Sequence, residues 1–321
     1  MDFLWPRSLI LLVALYFVLP ASAADNPAAI RLAEPTTSTW RFGVTISTPE
    51  GAASGLVATL PVPMDWPEQQ VKLTDEQLSP GARINYRTLD GGVKQMVVSI
   101  PKLAAGEEAS AIVTFEVTKH RILEPTDTGG LVAPAKPGRE LARFLAPSPY
   151  IESTDPKIKS LAPEITAGKA SGWEQSEAIF DWVRANVKYE FAEQIQPAVA
   201  ALADGQGDCE ELSSLVIALC RASKIPARAV WVPGHTYPEF YLVDAAGQGH
   251  WYPCQAAGEA RQFGSMHEDR PILQKGDNFR VPDERQPQRY VQQRLGAKNA
   301  VGSPQAKFVM EKVEPGVAPV R

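Results

Sequence analysis

One stretch constrains the chain more than any other: Gly207-Asp208-Cys209-Glu210-Glu211-Leu212, continuing through Ser213 to Arg221. Apolar residues recur at Leu212, Leu215, Val216, Leu219 and Cys220, the i, i+3, i+4 stripe of a helix packed on one face. Cys209 lies three residues before Leu212 on that stripe, so its thiol points at whatever the helix packs against. It also opens the helix, where unpaired N–H groups and the macrodipole favour an anion. Those conditions predict a lowered thiol pKa and a nucleophile. Two partners follow in order: His235 in Gly234-His235-Thr236-Tyr237, and Gln255 closing Trp251-Tyr252-Pro253-Cys254-Gln255. A cysteine, a histidine and an orienting polar group form the arrangement of a thiol acyl-transfer site.

The surroundings of that stretch read as helices first and strands afterwards. Asp155-Pro156 opens a helix to about Ile165, with Asp as N-cap and Pro at the first position. A second helix runs from about Trp173 to Val187, with Ala178, Ile179, Trp182, Val183 and Asn186 on one stripe. A long loop, 192 to 207, leads into the cysteine helix. Strand-like pieces follow at 227–232, 239–243 and 250–254, with a turn over 244–249. This order is an α+β pattern.

Upstream the period changes to two. Trp40, Phe42, Val44 and Ile46 alternate with polar or small residues, Leu56 to Leu60 forms a second run, and Ala111, Val113, Phe115 and Val117 a later one. Arg83 to Leu89 and Val93 to Ile100 flank Asp90-Gly91-Gly92, a hairpin turn signal. These short strands predict a small all-β sandwich over 36–122. Nothing in it collects catalytic residue types, so a scaffold or docking role is expected. Residues 123–148, rich in Pro and Gly, read as a linker to a core over 149–275. Residues 276–321 read as an extended tail in which Phe308-Val309-Met310 could add one edge strand.

The first 23 residues have the order of a secretory signal: Arg7, an apolar run from Ser8 to Leu19, and Ala21-Ser22-Ala23 as cleavage site. The apolar run is shorter than the ~20 residues a spanning helix needs. Export to a periplasmic or extracellular space, with cleavage near Ala23 and no stable membrane anchor, is therefore expected. A net charge of −5 argues against a nucleic-acid partner, since no basic excess is present to neutralise phosphates. Three cysteines leave one spare in any pairing. Cys220 would lie about 16 Å beyond Cys209 along the helix, while Cys254 adjoins Gln255. A Cys220–Cys254 bridge is thus disfavoured, and both read as small buried hydrophobes. His250-x-x-x-Cys254 is not a zinc-ligand spacing, and no D-x-D-x-D-G calcium loop is present. No metal or cofactor is expected.

These motifs resemble those of the transglutaminase-like superfamily. The cysteine motif, with Leu219 to Arg228 behind it, is followed by His235-Thr236-Tyr237-Pro238-Glu239-Phe240-Tyr241, similar to the family's histidine motif. Trp251 to Gln255 resembles the third, in which the last position is normally Asp. Ala178 to Tyr189 resembles the helix that precedes the cysteine segment, and the likeness covers about 150 to 275. It implies a papain-like core, a nucleophile helix packed on an antiparallel sheet. Cys209 would be nucleophile, His235 general base and acid, and Gln255 the orienting residue. A neutral amide there can orient the ring but cannot neutralise an imidazolium; Glu239 or Asp244 could supply that charge. The Cys209 backbone N–H is the default oxyanion donor, with Gln194 or Gln196 as possible side-chain helpers.

Two functions follow as expectations. The first is an exported thiol enzyme acting on carboxamide or peptide bonds of a protein or peptide substrate through a thioester. Water or an amine resolves it, and the absence of a calcium loop leans the reading toward protease or amidase. The second is a binding or assembly module that kept the fold and lost efficiency, for which Gln255 in place of Asp speaks. The oligomeric state is left open.

Overall fold

Period-two apolar patterning builds the first layer pair of the computed structural model, which describes residues 26–282 and 284–314. The signal-peptide reading of 1–23 lies outside the described residues. Six strands come first: β1 (Arg31–Ser47), β2 (Ala53–Pro61), β3 (Gln69–Leu78), β4 (Arg83–Leu89), β5 (Val93–Leu103) and β6 (Glu108–Leu123). The helical region follows with α1 (Arg139–Ala142), α2 (Pro156–Thr166), α3 (Gly172–Asn186), β7 (Lys188–Tyr189), α4 (Ala198–Asp204), β8 (Gln206–Gly207) and α5 (Cys209–Ala222). Then come β9 (Ala227–Val232), β10 (His235–Val243), β11 (Gly249–Pro253), β12 (Gln274–Lys275), β13 (Arg294–Gly296), β14 (Asn299–Ala300) and β15 (Gln305–Val313).

The sandwich has one sheet in the order β15-β1-β6-β3 and a second in the order β13-β2-β5-β4, with β14 also on β2. Its core comes from the alternating residues read above: Trp40, Phe42, Val44 and Ile46 meet Leu56, Leu60, Met96, Val98, Val113, Phe115 and Val117. The β4–β5 hairpin closes over Asp90-Gly91-Gly92, where both glycines adopt positive φ, a conformation open to them at no steric cost.

The tail departs from its reading as an extended segment. Residues 305–313 form the edge strand suggested by Phe308-Val309-Met310, paired with Thr39–Ser47 of β1, while β13 and β14 cover β2. Ala306, Phe308 and Met310 turn toward the sandwich core. The sandwich is thus completed from both ends of the chain. The linker is also more than a spacer: Leu131 is buried in the helical core, and Val132 and Val243 exchange backbone hydrogen bonds.

In the second layer pair the antiparallel sheet β11-β10-β9-β12 carries α5. Helix α5 differs from a one-faced helix: every residue from Glu211 to Arg221 is buried. The sheet covers one side and α2, α3 and α4 cover others, so the apolar stripe is only its most hydrophobic face. Arg221, at the buried end of α5, forms a bidentate pair with Asp277 at 2.7 and 2.8 Å and donates to the carbonyls of Ala146 and Ala227. Cys220 and Cys254 are fully buried and unbridged.

The segment read as a loop over 192–207 contains α4. Pro197 precedes it, an Ala-rich run fills it, and Gly205 ends it in the left-handed conformation (φ +66°), which is the Pro-before, Gly-after order of a short helix. Helix α2 begins at its Asp155 cap, whose carboxylate accepts the Lys157 N–H at 2.8 Å. On α3 the buried face is rotated from the expected stripe, centring on Trp173, Ser176, Ile179, Phe180 and Val183. The cause is an aromatic cluster: Trp173 and Phe180 pack on Phe263, and Phe240 stacks on Phe263 at 5.1 Å. Among the described residues no helix is long and apolar enough to cross a membrane.

Candidate functional site

Local chemistry places each of the three residues. Asp208 caps α5 in a capping box: its carboxylate accepts the Glu210 N–H at 2.7 Å, and Glu211 Oε2 accepts the Asp208 N–H at 2.9 Å. This sets Cys209 at the first helical position, where its own N–H has no helical acceptor. His235 opens β10 directly after the two-residue turn Pro233-Gly234, Gly234 supplying the positive φ of +70°. Gln255 lies just beyond β11, its N–H donating to the Gln262 carbonyl at 2.8 Å.

Thr236 joins the helix to the strand. Its backbone lies close enough to Cys209 to favour the thiolate. One turn along α5, the Ser213 hydroxyl donates to the Thr236 carbonyl at 3.3 Å. Since Thr236 is the neighbour of His235, the Ser213 bond ties the cysteine helix to the histidine strand. His235 Nε2 lies 3.1 Å from Gln255 Oε1. An amide oxygen only accepts, so Nε2 carries the proton and Nδ1 keeps its lone pair. Cys209 and His235 both line one cleft of about 670 Å³.

The electrostatics overturn one expectation. Burial pushes the Cys209 thiol up to about 11, and the carboxylates of Asp208, Glu210 and Glu211 add to the rise, against the Thr236 backbone. The same acidic residues that complement the helix dipole thus cancel its benefit to a thiolate. Burial also lowers His235 below its ordinary 6.5, with Arg270 pushing the same way and Glu268 and Gln255 opposing. At neutral pH the pair is thiol and neutral imidazole. Asp208 itself is raised to about 7 by burial and by its contact with Glu211.

Asp208→Asn tests this account. Asn keeps the cap but removes a negative charge beside the sulfur, so Cys209 should alkylate ~3–10-fold faster at pH 8.5, the thiolate gained from half to one pKa unit. Cysteine-resolved iodoacetamide labelling reads it, and an unchanged rate would contradict the carboxylate effect.

The carboxylates considered as a source of missing charge are otherwise engaged. Glu239 bonds Lys275 and Arg228, and Asp244 bonds Asn26 and His250. Glu268 is the carboxylate whose charge reaches His235, and it is paired with Arg270. Gln194 and Gln196 are absent from the cleft wall; the Gln196 N–H instead donates to Glu211 Oε1 at 2.7 Å.

Three supporting residues escaped the sequence reading. Arg184 of α3 donates to the carbonyls of Gln255, Ala256, Gly258 and Glu259, fixing the segment that carries Gln255. Arg270 donates to the Pro233 carbonyl at 3.1 Å, bracing the turn before His235. Arg289, buried, bonds Ser214 and the Glu210 carbonyl under the start of α5. Long-range contacts of this kind leave no local pattern.

Comparison with known proteins bears on the family and the fold. Residues 159–256 match the sequence model described as Transglutaminase-like superfamily. A solved structure from Cytophaga hutchinsonii, described as a candidate cysteine protease, superposes with a TM-score of 0.57 at 19% identity. It covers 90% of this chain and 95% of that one, and the two share a fold. The periplasmic domain of TgpA from Pseudomonas aeruginosa bound to ethylmercury overlaps at a TM-score of 0.34 and 14% identity, over 73% of this chain and 92% of that one, too loosely to argue from. No curated protein matches significantly. The match to the transglutaminase-like superfamily thus lies over residues 159–256, the stretch that holds Cys209, His235 and Gln255.

Proposed function

We propose that the protein is an exported thiol enzyme that opens carboxamide or peptide bonds through a thioester on Cys209. What supports the reading is the one cleft that Cys209 and His235 both line, with Gln255 on Nε2 of the ring so that Nδ1 is the free nitrogen. His235 Nδ1 takes the thiol proton as sulfur attacks the carbonyl carbon. The C–N bond then breaks and the same proton passes to the leaving nitrogen. The unpaired Cys209 N–H stabilises the oxyanion. Gln255 holds the ring without adding charge. Water resolves the thioester: exposed Phe191 and Glu193 on the cleft wall leave it open to solvent, which favours hydrolysis over transfer to an amine.

A second reading, a binding or assembly module on the same fold, is favoured by one observation, the raised Cys209 thiol. A panel of peptide and primary amides separates the two. The enzyme reading expects release of amine or ammonia, and capture of the acyl group by hydroxylamine as a hydroxamate. Because His235 must be neutral to act as base, kcat/KM should rise with pH and reach half its plateau below pH 6.5, the ordinary histidine value. Folded protein that turns over no amide and forms no hydroxamate would leave the binding reading.

A further inference from the structure

The cleft beside Cys209 carries a composition that the chemistry of thioester formation does not require. Its wall includes Tyr189, Phe191 and Ile195, and Phe191 is 74% and Tyr189 52% exposed. Three large apolar side chains within seven residues of a water-facing segment are a feature of a binding surface. They are held in place. Tyr189 pairs with Gly207 across the parallel β7–β8 bridge, the Glu190 N–H donates to the Gly207 carbonyl, and Gln196 is tied to Glu211. The aromatic wall is therefore registered two residues ahead of the nucleophile. Trp231, Tyr290 and Met310 also line the cleft, the last contributed by β15 of the sandwich.

Charge on the wall has one sign. Glu193, Asp208 and Glu210 line the cleft, and among the described residues that line it there is no Lys or Arg. Nearby cations are committed elsewhere: Lys188 to Glu190, Arg270 to Glu268, and Arg289 to Glu210 from behind the wall. A cleft of carboxylates and aromatic rings attracts a cation twice, through its field and through the ring faces.

We infer that the cleft takes peptides in which a basic side chain adjoins a bulky apolar one, and that it disfavours acidic peptides. The inference rests on the proposed function for its placement of the acyl donor, but affinity tests it independently of turnover. Three labelled peptide amides of one sequence, with an apolar residue beside Lys, norleucine or Glu, are titrated by fluorescence anisotropy onto Cys209→Ala protein. One unit charge near a screened carboxylate is worth about threefold, so the Lys peptide should bind roughly tenfold tighter than its Glu twin. Glu193→Gln should narrow that contrast, and Phe191→Ala should weaken all three peptides. Equal affinities, a tighter Glu peptide, or no binding by any of the three overturns the inference. Cadaverine competing as well as the Lys peptide also overturns it, because the cation seat would then serve a free amine. Turnover of the same peptides by wild-type protein decides the enzyme reading separately.

Discussion

Cys209→Ala is expected to lower amide turnover by about 10⁴-fold or more while leaving the fold intact, since the nucleophile is the group without which no covalent intermediate forms. The side chain is small and half-buried, so the substitution removes little packing. His235→Ala should cost ~10²–10⁴-fold, the usual worth of a positioned general base. The informative variant is Gln255→Glu. It keeps the length of the side chain but places a carboxylate 3.1 Å from Nε2 in place of the amide oxygen. The imidazolium is then stabilised, His235 titrates higher, and the rising limb of kcat/KM moves to higher pH. Steady-state rates across pH 5–9, with circular dichroism for the fold, measure all three. Retained turnover in Cys209→Ala would end the thioester account, and an unmoved limb in Gln255→Glu would place the base elsewhere.

Lys275→Met should destabilise the protein by about 3–5 kcal/mol, the cost of removing one partner from a buried ion pair. Lys275 Nζ lies 2.6 Å from Glu68 and 2.7 Å from Glu239, all three buried, and Arg228 closes the cluster on Glu239 at 2.7 Å. Two cations balance two carboxylates; the variant leaves two carboxylates to one arginine. Glu68 comes from the sandwich and Glu239 and Lys275 from the helical domain, so the loss falls on the contact between domains. Lys275→Met combined with Glu68→Gln restores the balance and should recover part of the stability. Acid acts on the same cluster. Lys275 and Arg228 hold Glu239 below its ordinary 4.5 against the opposing effect of burial. Its contribution is therefore present above pH 4.5 and is lost as pH falls through the lower folded value. Urea unfolding at pH 7 and pH 4 reads both effects; a Lys275→Met midpoint equal to wild type would show the cluster to be solvated.

Where chemistry is local, the residues were readable in advance. Cys209 at the start of its helix, Asp155 as the cap of α2, Asp90-Gly91-Gly92 as a hairpin turn, and the alternation from Trp40 to Ile46 all depend on neighbours a few positions away. Cap, turn and period are short-range rules, and they placed the cysteine helix, α2 and the sandwich strands from sequence alone, whereas the strand expected from 239 begins at His235. Tertiary structure decided what depends on distant partners. Strand β15 needed β1, more than two hundred residues upstream, to be an edge strand instead of an extended tail. Helix α5 became buried all round because α2, α3 and α4 cover the sides its stripe left open. The Cys209 thiol is raised, not lowered, because burial and the summed field of three carboxylates outweigh a helix terminus. Lys275 and Glu68, 207 residues apart, meet only when the two domains close on each other. Sequence determined which groups could react, and packing determined their protonation, because desolvation and charge act through space and not along the chain.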